Sequence, residues 1–333
     1  MNRFPVTRRG MLVQSAVLYT ALGLSAALAP TRVAAQNDKP LEWIVGYVAG
    51  GGSDAVARTV ADAMSQSLGR TIVVNNKPGA ATNIAADYVA KSKDFGNVML
   101  TADFATLAAN PSLFSKLPYD PVKDFTPVGL LARFPLILVV GPGVPAKNFK
   151  EFVAWAKAQP DGVNYASAGA GSPHHLATEL LRERTGLKLQ HVPYRGAAPA
   201  VQDLIGGQVP FGMMDSASVL QHITSGKLRA LGVASAARLK VMGDIPTLAE
   251  QGVTGFEAYA WQGLVVPSGT APEVVAKLGK ALQDALDSTR VKARFQTLAL
   301  EALPGTPQQM ASYAAAERER WGKLIKANNI HLD

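Results

Sequence analysis

An α/β fold built on parallel sheets is the class this sequence predicts. Three observations carry it. Short Val/Ile/Leu-rich runs bounded by Gly, Pro or Asn recur along the chain. Helical patterns fill the gaps between them. Alternation of this kind covers parallel strands with helices. Two domains are expected, because 333 residues exceed one ordinary core. With 48% apolar and 17% charged residues, the chain reads as globular.

In chain order, residues 1–35 read as an export signal. Arg3, Arg8 and Arg9 precede an apolar run over Met11–Ala29, and Val33-Ala34-Ala35 is a small-residue cleavage site. Thr7-Arg8-Arg9-Gly10-Met11-Leu12 resembles a twin-arginine signal, so both that route and the general secretory route stay open. A membrane anchor is the competing reading. Gln14, Ser15 and Thr20 dilute the run and a cleavage site follows it, so it is disfavoured. Removing the signal takes away four Arg and no acid, which lowers the formal charge from +8 to +4.

Strands are expected at Leu41–Val48, Thr71–Asn75, Val98–Ala102, Leu136–Val140, Val163–Ser167, Leu189–Pro193, Phe211–Met214, Leu228–Val233 and Gly263–Val266. Helices are expected at Ser53–Leu68, Thr82–Lys91, Phe149–Gln159, Pro173–Thr185 and Pro199–Ile205. Asn110–Pro127, rich in Pro and Asp, reads as an ordered loop. Thr270 with Glu273, and Thr306 with Gln309, have capping-box spacing and open helices near Pro272–Leu286 and Pro307–Ala327. Beyond Val266 only a short strand at Leu300–Leu303 is expected. Chain crossings near Val139–Gly143 and Gly255–Gly263 make the second domain an insertion, with residues 36–140 and 259–333 in one lobe and 141–258 in the other.

The chain has no cysteine, which excludes disulfides, thiolate metal sites, a thiol nucleophile and a lipid-modified cysteine. Lys and Arg are scattered, with no basic block interleaved with aromatics, so no nucleic-acid partner is expected. No cofactor and no metal are expected, and the protein is expected to be a monomer in the periplasm.

Two loops share one grammar. In Gly46-Tyr47-Val48-Ala49-Gly50-Gly51-Gly52-Ser53-Asp54 a strand runs into a helix through three consecutive glycines. Glycine lets backbone approach a ligand, and a helix start offers unpaired N–H groups and partial positive charge. That combination suits an anion. A tight turn needing glycine is the competing reading. The second loop runs from Ser167 through Ala168-Gly169-Ala170-Gly171 to Ser172-Pro173, a strong helix start. Together the loops suggest a crevice beyond the carboxyl ends of parallel strands.

Catalytic readings fit poorly. The first loop lacks the Lys of a phosphate-binding loop. The second fails the dinucleotide fingerprint, and Tyr165 stands where a nucleophile elbow around Ser167 needs Gly. His174, His175 and Glu179 match no zinc pattern, and packing or capping is expected of the histidines. Asn83 is either a cap or a ligand donor. Thr101 and Asp103 end a strand on the rim of the first loop. Asp215, at another strand end, is either a helix cap or a partner for a ligand amine. Tyr194-Arg195-Gly196 either supplies a cation or is solvated.

These residues together resemble a family. Gly50-Gly51-Gly52-Ser53-Asp54, Asn76-Lys77-Pro78-Gly79-Ala80 through Asn83, Asn110-Pro111 with Leu117–Phe125, Tyr165-Ala166-Ser167 through His175-Leu176, and His191–Gly196 lie in an order and spacing similar to the receptors of tripartite tricarboxylate transporters, the Bug family. The resemblance implies a type II periplasmic-binding-protein fold, with two lobes around a ligand cleft. It implies capture of a small carboxylate for membrane permease subunits, and no catalytic residue. Carried over, ligand contacts fall to Gly51, Gly52, Ser53, Asp54, Ser167, Gly169 and Ser172, with Asn83, Thr101 and Asp215 lining the remainder. Tyr47 departs from the Phe common there and adds a phenol. Met214-Asp215 stands where Asp-Asn is frequent, which leaves the amine role of Asp215 open. A sensor module presenting the same ligand to a membrane signalling protein, or an exported serine hydrolase, are the alternatives.

Overall fold

One long strand that pairs differently along its two halves organises the chain. The computed structural model describes residues 39–332; the export signal read in residues 1–35 lies outside them. Strands β1 (Leu41–Val45), β2 (Ile72–Asn76), β3 (Val98–Asp103), β4 (Phe125–Val140), β5 (Val163–Ser167), β6 (Leu189–Pro193), β7 (Phe211–Asp215), β8 (Arg229–Val233), β9 (Tyr259–Pro267) and β10 (Glu301–Ala302) form a sheet of order β2-β1-β3-β9-β4-β7-β5-β6. Strands β8 and β10 pair with β4 off that path.

The expected parallel pairing holds at the flanks, where β1 pairs with β2 and β3, and β5 with β6 and β7. The centre is antiparallel, because β9 and β4 run against their neighbours. Sequence reading finds only Leu136–Val140 of β4 and only Gly263–Val266 of β9. Pro127, Gly129 and Pro135 interrupt the first half of β4, and its register with β9 shifts between Pro127 and Gly129 and between Leu130 and Ala132. A bulge is where a strand accommodates proline and glycine.

Strand β4 changes partner partway along. Phe125–Pro135 lies against β9, and Leu136–Val140 lies against β7 and β8. The chain returns at the same level, where Leu136 N–H donates to Ala258 O (3.4 Å), Ala258 N–H to Ala234 O (2.8 Å) and Ala234 N–H to Leu136 O (2.7 Å). Side chains of the second half alternate between two cores. Leu136, Leu138 and Val140 join Phe152, Tyr165 and Phe211, whereas Ile137 and Val139 join Val201, Leu204 and Val233. Both faces are covered, which is why this run reads as continuously apolar.

Helices α1 (Gly52–Leu68), α2 (Asn83–Ala90), α3 (Asn110–Leu113), α4 (Phe149–Lys157), α5 (Pro173–Thr185), α6 (Ala197–Ile205), α7 (Ser216–Thr224), α8 (Pro272–Asp287), α9 (Thr289–Thr297) and α10 (Pro307–Ala327) cover the sheet. The segment expected as one loop from Asn110 is helical through Leu113, after a wide helical turn over Ala105–Ala109. Thr306 and Gln309 make the expected capping box. Thr270 does not, because Pro272 opens α8 and puts Ala271 at the cap. Helix α9 is capped by Ser288, directly after α8, so one long polar-faced stretch holds two helices.

Glycine at 141 sits against helix α6. A Cβ there would lie 2.4 Å from the Leu204 carbonyl oxygen. Gly141→Ala is expected to lose about 1–3 kcal/mol of stability by urea denaturation; unchanged stability would mean that the end of α6 yields freely.

Behind β5, the His175 and His191 rings stack with centroids 3.9 Å apart, and Tyr165 stacks on His191 at 5.0 Å. Burial pushes His175 down to about 3, with His191 and Arg182 adding to the effect, and pushes His191 down to about 4. Both rings are neutral in the fold at mildly acid pH, while the unfolded chain protonates them below about 6.5. Their contribution is therefore complete above that pH and is lost as the pH falls toward the folded values. Urea midpoints are expected to drop between about pH 7 and pH 5, and the drop should shrink in His175→Asn. An equal drop in the variant would remove the stack as its source.

Candidate functional site

Four helices begin at one cavity of about 360 Å³. Gly51 and Gly52 at the start of α1 line it, as do Ser172 and Pro173 at α5, Gly196 and Ala197 at α6, and Asp215 and Ser218 at α7. The two sequence-predicted loops thus face one space.

Their local chemistry differs. The cap of α1 is Gly51 and that of α6 is Gly196, and neither has a side-chain cap bond. The first intrahelical bond of α1 comes from Ala55 N–H to Gly51 O (3.0 Å), so the amides of Gly52 and Ser53 have no acceptor among the described residues. The Ala197 and Ala198 amides of α6 are likewise open. By contrast, Ser172 caps α5, accepting from His175 N–H, and Asp215 caps α7, accepting from Ser218 N–H. Partial positive charge is therefore presented chiefly by α1 and α6.

In the second loop, the expectation of bare amides needs correction. Gly169 N–H donates to Ser167 Oγ (3.1 Å), Gly171 N–H to His175 Nδ1 (3.0 Å) and Ser172 N–H to Gly169 O (3.2 Å). The loop is short enough to satisfy itself. What it offers the cavity is the Ser172 hydroxyl, whose oxygen accepts from His175 and whose proton remains to donate.

Of the residues singled out in the sequence, Tyr47, Gly51, Gly52, Ser53, Ser172 and Asp215 line the cavity. Asp54, Asn83, Thr101, Ser167 and Gly169 are not among the lining residues, and each is engaged elsewhere. Asp54 braces the glycine turn, accepting from Gly50 N–H (2.9 Å) and pairing with Arg58 (2.9 Å). Asn83 Oδ1 accepts from Asn110 Nδ2 (2.7 Å) and Tyr119 OH (3.2 Å). Thr101 Oγ1 accepts from Trp43 Nε1 (2.8 Å). Ser167 is fully buried, with its Oγ 2.6 Å from His191 Nε2. Arg195 does not line the cavity either; its neighbour Gly196 does.

Other lining residues carry little local signal in the sequence or read there as strand ends and caps. Asp103, at the end of β3, accepts from the Tyr47 hydroxyl and from Thr106 N–H and Oγ1 (both 2.9 Å). Burial pushes its carboxyl up, against the opposing bonds from Thr106 and Tyr47. Burial also raises Tyr47, and Asp103 raises it further, so the phenol keeps its proton. His174, expected to pack or cap, lies 3.1 Å through Nε2 from Asp215 Oδ2. Burial pushes Asp215 up, but His174 and the bonds from Ser218 outweigh it and hold the carboxyl below the usual range. Gln262 on β9 donates through Nε2 to Ser53 Oγ. A lone amide in the apolar run Tyr259–Pro267 was its available signal. Phe134 and Trp261 supply apolar wall.

Residues 56–330 match the family model described as the tripartite tricarboxylate transporter family receptor. Protein BugT of Bordetella pertussis is 34% identical over 318 residues, covering 95% of this chain and 98% of BugT. The structure of periplasmic binding protein BugD is 34% identical, with a TM-score of 0.82, covering 88% of this chain and 99% of BugD. The structure of Rpa4515 from R. palustris with adipate is 32% identical, with a TM-score of 0.84, covering 88% and 98%. The fold is accordingly the two-lobed α/β architecture of the periplasmic binding proteins. With the match running from early in α1 to past the end of α10, the chain belongs to the receptor family of the tripartite tricarboxylate transporters.

Proposed function

We propose that this solute receptor captures a small organic carboxylate in the four-helix cavity, in the periplasm, and presents it to membrane permease subunits without transforming it. It works as a monomer. Lobe one comprises residues 36–140 and 259–333 and lobe two residues 141–258, flexing where β4 changes partner and the chain returns at Ala258. The observation that carries the reading is the pair of uncapped helix starts, α1 and α6, with open amides at one cavity. A volume of about 360 Å³ lies at the small end of ligand sites. The adipate held by Rpa4515 is of that chemical class.

Ligand contacts fall to Gly51, Gly52, Ser53, Ser172 and Tyr47 and to the open amides of Ala197 and Ala198, with Asp54, Asn83, Thr101, Ser167 and Gly169 supporting the turns from behind. A hydrogen bond to a charged group contributes about 1.5–3 kcal/mol net. Four amides and two hydroxyls therefore leave room for micromolar binding, about 8 kcal/mol, after ordering costs. The hydrolase alternative, on Ser167 or Ser172, is disfavoured: Ser167 is buried away from the cavity, and Ser172, which lines it, serves as a helix cap, its Oγ bonded among the described residues to the His175 backbone N–H and to no side-chain base.

Gly52 has no left-handed backbone requirement, and a Cβ on it would meet Phe134 at 3.0 Å, Ala217 at 3.4 Å and Asp215 at 3.6 Å. Gly52→Val is expected to keep the fold and to lower carboxylate affinity at least 100-fold by calorimetry; unchanged affinity sinks the site. Ser172→Ala is expected to weaken binding by about 1–2 kcal/mol and, because Ser172 is also a cap, to cost about 1 kcal/mol of stability in urea. A stability loss with unchanged affinity would leave it a cap alone.

A further inference from the structure

Acceptors, not cations, complete this cavity. No Lys or Arg is among the described residues that line it, whereas two buried carboxylates, Asp103 and Asp215, are. The oxygens of Asp215 are taken by Ser218 N–H, Ser218 Oγ and His174 Nε2. Asp103 accepts as many bonds, both from Thr106 on Oδ1 and the Tyr47 hydroxyl alone on Oδ2, and differs in what stands across the sheet from it.

Directly across the ladder from Asp103 stands Gln262, its register partner on antiparallel β9. Opposed residues of such a pair share a face, with Cβ atoms about 4.5–5.5 Å apart. Gln262 is 3% exposed and lines the cavity. Its Nε2 is used on Ser53, and its Oε1 is buried with no hydrogen-bond partner. A buried carbonyl without a donor is costly, so this oxygen lacks a group that the chain does not supply. Asp103 Oδ2, the Tyr47 oxygen and Gln262 Oε1 thus form three acceptor positions on one wall.

We propose that the ligand is a carboxylic acid that also carries an ammonium group, with the ammonium seated on Asp103, Gln262 and Tyr47 and the carboxylate on the open amides of α1 and α6. This rests on the receptor reading above and narrows its substrate class to amino acids. An ammonium brings three donors and a positive charge to three acceptors, one of them a carboxylate. A hydroxyl brings one donor and no charge. A second carboxylate brings none, and it meets the like charge of Asp103 with no Lys or Arg among the described lining residues to offset it.

Calorimetry on the purified protein with matched pairs tests this: L-aspartate against succinate, L-glutamate against glutarate, and 4-aminobutanoate against butanoate. In at least one pair the amino member is expected to bind at least tenfold tighter. Asp103→Asn, which keeps an acceptor for Thr106, should weaken that amino acid at least tenfold and leave the unaminated partner unchanged or tighter. Gln262→Glu should move the two in the same opposed directions as added negative charge, tightening the amino acid and weakening the diacid. It also carries the test if thermal melts find Asp103→Asn unfolded. Equal or tighter binding of the unaminated acid in every pair overturns the ammonium subsite and leaves the carboxylate receptor standing. So does an amino acid whose affinity neither variant moves. No binding in any pair overturns both.

Discussion

Backbone amides at a helix start have no acceptor within their own helix, and the molecule turns on where they are left open. Five of the ten helix starts among the described residues are closed by a side-chain oxygen: Asn148, Ser172, Asp215, Ser288 and Thr306 each accept a bond from the first turn. At α1 and α6 the cap is glycine, with no oxygen to offer. Gly52, Ser53 and Ala197 are half-buried and Ala198 is exposed, so solvent reaches these amides at the cavity and an anion takes its place there.

The rest of the architecture brings those two helix starts together. Helix α1 follows β1, on the flank that pairs with β9, and α6 follows β6, on the flank that includes β7. Only β4 runs through both flanks, Phe125–Pro135 on one side and Leu136–Val140 on the other. The polar supports lie behind the cavity rather than in it. Tyr119, Asn83, Asn110 and Thr106 form a buried chain of bonds that ends on Asp103. Such a network holds Asp103 in place while its second oxygen stays available, since buried polar groups are stable when mutually satisfied.

Local signals were legible and long-range ones were not. Three glycines before Ser53, or Ser172 before Pro173, announce a helix start within a few residues, and both loops line the cavity as read. Thr306-Pro307 caps as expected, whereas Thr270-Ala271-Pro272 misses by one residue, a difference visible in the sequence once proline is taken to mark the first helical position. The first half of β4 stayed hidden because Pro127, Gly129 and Pro135 read as breakers, and only its partner β9 reveals that Pro127 and Gly129 flank a bulge and that Pro135 ends the pairing with β9. Asp103 facing Gln262 is a matter of register between distant strands, and no local pattern encodes it. The polar supports Asn83 and Thr101 were picked out as unusual residues in the right neighbourhood. Whether such a side chain turns toward the cavity or away depends on Asn110 and Trp43, its partners far along the chain.

Leu136 and Ala258 are joined by a backbone hydrogen bond, although more than a hundred residues separate them along the chain. The stretch between them leaves along β4 and returns just before β9, at nearly the same point. Closing so long an excursion costs conformational entropy that grows only as the logarithm of its length. Residues added within the stretch therefore raise the cost of aligning β4 with β9 only slightly.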